Sequence, residues 1–320
     1  MMPCNAFAAL LAIGAALGCP AAAAETYPAR TVQFIVPFAP GGGADVSQRA
    51  FNKYAEALVK HPLPIINKPG AAGVTGWAEL VRQKPDGYTL TVLTPPFNIL
   101  PALVKPKQTG YKLDQLKNIC IYAVVPDVLV VREDGPFKTL DDFVKFARAN
   151  PKKVKTANTG TLGADFMTTL LIENATGIDT TQVPFNSGAL ALQGTLAGTT
   201  DAFVASTLYA VSQKGTLRTL AVASPTRDPM IPDVPTFKEL GYDVISERYR
   251  VLGGPAGMPT EVVDYWANIC RQVTDNPGFR DEMLKLGQPV AYRGPADSDR
   301  ELAKMTADLH AVIVKNKLAE

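Results

Sequence analysis

Histidine is nearly absent from this sequence: two occur in 320 residues, His61 beside Pro62 and His310 near the C-terminus. Neither lies near a glycine-rich stretch, so both read as surface residues rather than general bases. Cysteine is almost as scarce, at four, and so few thiols and imidazoles offer no metal-ligand spacing. No Gly-x-Ser-x-Gly elbow and no Walker-type phosphate loop occurs. No catalytic residue, metal or cofactor is therefore expected. An excess of one charge sign is missing too: 32 basic against 30 acidic residues leave a net charge of +2. That gives no electrostatic case for nucleic acid, and no basic amphipathic helix suggests a membrane surface. Beyond the first residues, no apolar run is long enough to cross a bilayer.

The chain does hold enough apolar residues, 47%, for one large or two ordinary cores. Residues 6–18 form an apolar run too short for a comfortable span, and Ala22-Ala23-Ala24 fits the small-x-small rule for signal-peptide cleavage. Residues 1–24 are thus expected to be a leader, although no Lys or Arg precedes the run. Leu17-Gly18-Cys19 offers a lipoprotein site as the alternative, with Ala16 a poor residue three places before the cysteine. The expected product is exported, periplasmic and soluble. Cys4 and Cys19 leave with the leader. Cys120, in an apolar strand, and Cys270, on a helix, remain. An oxidising compartment permits a disulfide between them. We read them instead as two buried thiols, because nothing in the sequence fixes their separation.

One stretch organises the chain. Val32-Gln33-Phe34-Ile35-Val36 is apolar and β-branched, stops at Pro37, and leads through Phe38, Pro40 and the triplet Gly41-Gly42-Gly43 into Ala44 and Asp45. Val46, Ala50, Tyr54, Ala57 and Leu58 then recur at helical spacing. Strand, glycine turn and helix make a cradle for an anion or polar group, since glycine admits close backbone approach and the helix N-terminus carries roughly half a positive charge. The same pattern is also an ordinary turn. Gly41-x-Gly43 could suggest a dinucleotide, but the next strand ends in Asn67 and Lys68 rather than the acid that would hold a ribose.

Strand and helix continue to alternate. Strands are expected at 63–67 and 88–93, the second running into the loop 94–98, with a helix over 75–82. Two apolar extended runs, 119–125 and 128–131, hinge at Pro126. A second series follows: helix 140–149, strand 154–157, loop 158–163, helix 164–176, strand 181–184, a helix to 196, and strands 201–205 and 219–223. Residues 247–252 look extended, and amphipathic helices over 261–273 and 297–315 close the chain. Two α/β units joined by two crossings, near 124–131 and 248–252, describe lobes that hinge over a ligand at the strand C-termini.

At this point a resemblance appears. Tyr27-Pro28, Val36-Pro37-Phe38-x-Pro40-Gly41-Gly42-x-x-Asp45, Asn67-x-Pro69-Gly70-Ala71-x-Gly73 and Pro85-Asp86-Gly87-Tyr88-Thr89-Leu90 recur in order. So do Val183-Pro184-Phe185, Asp233-Val234-Pro235-Thr236 and Gly254-Pro255-Ala256-Gly257-x-Pro259. The sequence resembles the substrate-binding proteins of tripartite tricarboxylate transporters, the Bug-type periplasmic receptors, over essentially its whole mature length. The resemblance implies an α/β, two-lobed type II periplasmic-binding-protein fold. Lobe 1 would comprise 25–124 and 248–320, and lobe 2 would comprise 125–247. It implies a monomeric receptor that captures a small organic carboxylate in the cleft and delivers it to a membrane permease. A sensing input to a signalling system would need the same cleft. An enzyme, a hydrolase or lyase with Asp45 or Asp165 as base, is the remote alternative, since neither has a partner base.

Carried over to this chain, first-lobe contacts would fall at Phe38, Pro40, Gly41, Gly42, Gly43, Ala44 and Asp45, at Ala72, and at Thr94, Phe97 and Asn98. Second-lobe contacts would come from Asn158, Thr159, Thr161, Gly163 and Asp165, then Phe185, Asn186 and Ser187, and the strand end at Asp201 and Ser206. The second lobe departs from the family pattern: Gly163 replaces a hydroxyl, Phe166 replaces a histidine, and Asp165 adds a carboxylate. Asp165 reads either as a first-turn acid at a helix N-terminus or as a group that repels a second substrate carboxylate or accepts from a substrate donor. Arg248 and Arg250 would share one strand face, with Tyr249 on the other. Either arginine could fork a carboxylate or lie solvated at an edge. Phe38, Phe97, Phe166, Phe185 and Tyr249 could line a pocket, though each singly fits a core.

Overall fold

The computed structural model describes residues 27–160, 163–185 and 187–318. The expected leader, with Cys4 and Cys19, and the site candidates Thr161 and Asn186 lie outside the described residues. In chain order the elements are β1 (Gln33–Val36), α1 (Gly43–Val59), β2 (Ile65–Asn67), α2 (Val74–Leu80), β3 (Thr89–Leu93) and α3 (Leu100–Val104). Next come β4 (Leu116–Arg132), α4 (Leu140–Ala149), β5 (Lys155–Thr159), α5 (Ala164–Thr176), β6 (Thr181–Phe185) and α6 (Gly188–Leu196). The chain continues through β7 (Ala202–Ser206), α7 (Thr207–Ser212), β8 (Leu217–Val222), β9 (Glu247–Pro255), α8 (Thr260–Asp275), α9 (Pro277–Lys285), β10 (Val290–Arg293) and α10 (Pro295–Lys315).

The two apolar runs expected on either side of Pro126 are one strand, β4, which changes partners in its middle. From Leu116 to Pro126 it pairs antiparallel with β9, and its residues Ala123 and Ile121 also meet β10. From Asp127 onward it pairs with β7 and β8. The strand order β2-β1-β3-β9-β4-β7-β5-β6 therefore runs through both lobes, hinged on β4. Proline tolerates this site because its missing N–H falls where one ladder gives way to another. The second crossing is not at 248–252 as expected. All of β9 pairs inside the first half-sheet, and the chain passes over at Ser246, which receives the Asp127 N–H and donates its own N–H to Ala223 O.

Within each half the β-α-β units are parallel, as the alternation requires. Helices cover both faces. In the first lobe α1, α8 and α9 bury Phe51, Trp266 and Phe279 against one face of the sheet, while Trp77 of α2 and Leu302 of α10 cover the other. In the second lobe Phe143 and Ile172 pack one face and Ala191 and Ala210 the other. The sequence reading overlooked α9 and β10: α9 follows α8 after only Asn276, whose side chain caps it, and β10 is four residues long. Cys120 and Cys270 are joined in a disulfide between β4 and α8, correcting the two-thiol expectation. The strand and helix that carry them pack face to face in one core, and that proximity was invisible in the sequence.

Candidate functional site

The C-terminal ends of β1 and β3 and the start of α1 form one wall of the site. Gly41 takes φ +80°, a conformation that suits glycine. Its N–H donates to the Asp45 carboxylate at 2.8 Å. That carboxylate also accepts from Arg49 Nε at 2.9 Å and Asn67 Nδ2 at 2.8 Å, and Asn67 donates again to Phe38 O. Burial would push Asp45 up, but these donors outweigh it and hold its carboxyl below the usual range. Asp45 is thus the internal brace of the glycine loop. Pro40, Gly41 and Gly42 are exposed at its tip, and Gly43 and Ala44 open the helix, which no side chain caps. Phe38 stands edge-on to Trp77 and Phe97 at 5.9 and 6.0 Å.

Two neighbouring loops complete this wall. From Gly70 to Gly73 every residue has positive φ, including Ala71 and Ala72, a strained run that sets Ala72 toward the second lobe. A Cβ on Gly160 would lie 4.0 Å from that of Ala72. After β3, Thr94 and Asn98 are 1% and 4% exposed. Thr94 Oγ1 and Asn98 Oδ1 are nevertheless buried without a hydrogen-bond partner among the described residues. Buried polar atoms are normally satisfied, so two orphans within five residues mark a place where a water or a ligand belongs.

The facing wall belongs to β5, α5, β6, α6 and β7. Asn158 is held within its own lobe, donating to Gln182 Oε1 and accepting from Thr169 Oγ1. Thr159 N–H donates to Asp165 Oδ2 at 2.8 Å. Helix α5 starts at Ala164, where the sequence pattern places it, with Gly163 as N-cap. A Cβ on Gly163 would sit 2.2 Å from Thr159 O and 3.2 Å from Phe97 Cε1, so a hydroxyl residue does not fit there without a shift of the backbone. Phe166 packs with α3 and α10 rather than facing a ligand. Phe185 lies against Gly194. Ser187 caps α6 through Leu190 N–H, and Ser206 stands at the N-cap position of α7 without a side-chain cap bond. Asp201 precedes the opposite end of β7 and accepts from Lys155 N–H, so the structure does not bring it together with Ser206.

Between the walls lies a buried charge cluster. Arg248 reaches from β9 to Asp127, and its Nη2 donates to Asp165 Oδ1 at 2.5 Å. Asp127 also accepts from Thr168 and Ser246 hydroxyls at 2.7 and 2.9 Å. Burial raises the Asp127 carboxyl above its ordinary value. Burial alone would lower Arg248, but the two carboxylates outweigh it and hold the guanidinium above its ordinary value. Asp165 is therefore neither a mere helix-dipole acid nor free to meet a ligand: it ties α5 to Arg248. Tyr249 takes the opposite face, donating to Glu301 and Glu247. Sequence reasoning passed over Asp127, though a lone acid inside an apolar strand was a readable signal. It also passed over Tyr209, whose hydroxyl borders Gly188 and whose titration burial pushes up, with Arg248 opposing and Asp165 adding to the rise. Among the described residues no group of three or more His, Cys, Asp or Glu side chains could hold a metal, and no helix is long and apolar enough to cross a membrane.

Residues 48–318 match the tripartite tricarboxylate transporter family receptor. A UPF0065 protein in the gbd 5′ region of Cupriavidus necator is 27% identical over 315 residues, covering 98% of this chain and 95% of that protein. The solved structure of the periplasmic binding protein BugD superposes with a TM-score of 0.82 at 26% identity, covering 92% of this chain and 99% of that one. MatC from Rhodopseudomonas palustris, solved with bound malate, gives a TM-score of 0.81 at 26% identity over 90% of this chain and all of its own. The match extends from within α1 to beyond α10, across both half-sheets and the hinge strand, and the chain therefore belongs to the family of tripartite tricarboxylate transporter receptors.

Proposed function

We propose that this protein is a periplasmic solute-binding receptor that closes its two lobes over a small organic carboxylate and delivers it to a tripartite tricarboxylate-type membrane permease. In this reading residues 1–24 are a cleaved leader, 25–124 and 248–320 form lobe 1, 125–247 form lobe 2, and the receptor acts as a monomer without turning its ligand over. The observation that carries the reading is the pair of unpartnered buried atoms, Thr94 Oγ1 and Asn98 Oδ1, where β3 meets the glycine loop. Polar atoms of this kind favour a ligand with matching groups and penalise one that leaves them unmade. The family membership and the malate held by a relative of the same fold support a carboxylate as that ligand.

Calorimetry of the purified protein against a panel of small carboxylates tests the binding step: at least one acid is expected to bind in the micromolar range or tighter. A deletion strain tests delivery. Loss of uptake of that acid is expected, whereas intact uptake with lost gene induction would assign a sensing role instead.

A further inference from the structure

Strand register brings three electropositive or donor groups to one spot. β3 and β9 pair Thr91 with Gly253, Val92 with Leu252 and Leu93 with Val251. The Tyr249 N–H donates to Pro95 O at 3.0 Å, so the pairing continues and sets Thr94 opposite Arg250. Residues opposite one another in an antiparallel pair share a face, here the face of Val92 and Leu252 toward α1. Arg250 is 6% exposed. Its Nε donates to Gln288 Oε1 at 2.9 Å and its Nη1 to Tyr249 O at 3.3 Å. Gln288 in turn donates to Gly43 O, fixing the pair against the first residue of α1. A Cβ on Gly43 would meet Arg250 Nη2 at 3.0 Å.

No ion pair to Arg250 forms among the described residues; the nearby acids serve Arg248 and Arg49. Burial without a counter-ion pulls its guanidinium down to about 10. A cation lodged at the positive end of a 17-residue helix reverses the usual preference. An anion between them would correct it, and the orphan Thr94 hydroxyl is a donor on the same face.

The opposite holds two residues away along β9, a separation of about 7 Å. There Asp127 and Asp165 share the single arginine Arg248, leaving one negative charge over in the ionised cluster. Arg248, tied to both, is not available as a second anion fork.

We infer that the ligand carries one carboxylate, bound between Arg250, Thr94 and the first turn of α1, and that the Asp127–Arg248–Asp165 cluster disfavours a second. This inference rests on the receptor reading above and narrows its ligand class to monoanions whose far end is neutral or donates hydrogen bonds.

The test is calorimetry on the full mature protein with matched probes: hexanoate against adipate, benzoate against terephthalate, and benzamide as the neutral control. The monoacid of at least one pair is expected to bind ten-fold or more tightly than its diacid, with benzamide weaker than benzoate. Arg250→Gln is expected to weaken the monoacid thirty-fold or more, and Arg250→Lys to restore part of the loss. Thr94→Val is expected to weaken it five- to ten-fold without lowering the melting temperature of the ligand-free protein, a split that a merely structural threonine would not give. Diacids binding more tightly than their monoacids, or an affinity unchanged in Arg250→Gln, would overturn the inference while leaving the receptor reading intact. Failure of every acid to bind would count against both.

Discussion

Arg248 is the residue on which the two walls of the cleft depend most. It is almost wholly buried, and its two carboxylate partners are fully so. Removing one member of such a cluster leaves charge in a medium that solvates it poorly, a cost of about 3–5 kcal/mol. Arg248→Met should therefore lower the unfolding free energy at neutral pH by an amount in that range, read from urea denaturation. The sign of its pH dependence follows from the carboxyls. Asp127 is already raised by burial. Without the guanidinium, Asp127 in the folded protein binds a proton still more readily than in the unfolded chain. Folded stability of the variant is then greatest in acid and lost as pH rises through that raised value. Urea titrations from pH 4 to 8 should show the gap from the parent widening with pH; a gap that narrows would rule out this account of the cluster. That Arg248 and Arg250 share a face was legible from strand alternation alone. Which acids Arg248 meets was not, because Asp127 and Asp165 lie 121 and 83 residues away in sequence.

At the scale of elements, α5 shows how packing overrides local preference. Its N-cap is Gly163, where serine would ordinarily stabilise a helix by roughly a few tenths of a kcal/mol over glycine. Here a Cβ meets a backbone carbonyl at 2.2 Å and the Phe97 ring at 3.2 Å. Gly163→Ser should accordingly destabilise the protein by about 1–3 kcal/mol, read from the shift in urea midpoint, and a gain in stability would show that the close approach is absent. Most elements were readable because each α/β repeat alternates a β-branched run with a helical period: α1, α4 and α5 start within a residue or two of their sequence signals. The capping box of Thr139 and Asp142 at α4 is an example. The elements that escaped were short or abutted a neighbour, as α9 and β10 do. The hinge was read in the right strand but its return crossing was misplaced. An extended run reads the same whether it bridges two sheets or, like β9, lies within one.

The whole molecule is held by a sheet that changes partners at Pro126 and by one covalent tie within the first lobe. The Cys120–Cys270 disulfide closes a loop of 150 residues. The chain-entropy account assigns such a closure about 5 kcal/mol at most. Reduction with alkylation, or Cys120→Ala with Cys270→Ala, should lower the melting temperature, and the loss should localise to the first lobe in hydrogen exchange, across β4 and α8. An unchanged melting temperature would show that the bond contributes nothing. Both lobes converge on a cleft whose first wall offers donors and an arginine without a counter-ion, and whose second wall holds two acids on one arginine. The measurement that tests this most directly is a mass spectrum of the small molecule released when the protein, purified from its native host, is denatured. The account predicts a compound with a single carboxylic acid group, near one equivalent per chain. A bound diacid, or a bound compound with no acid group, would contradict it.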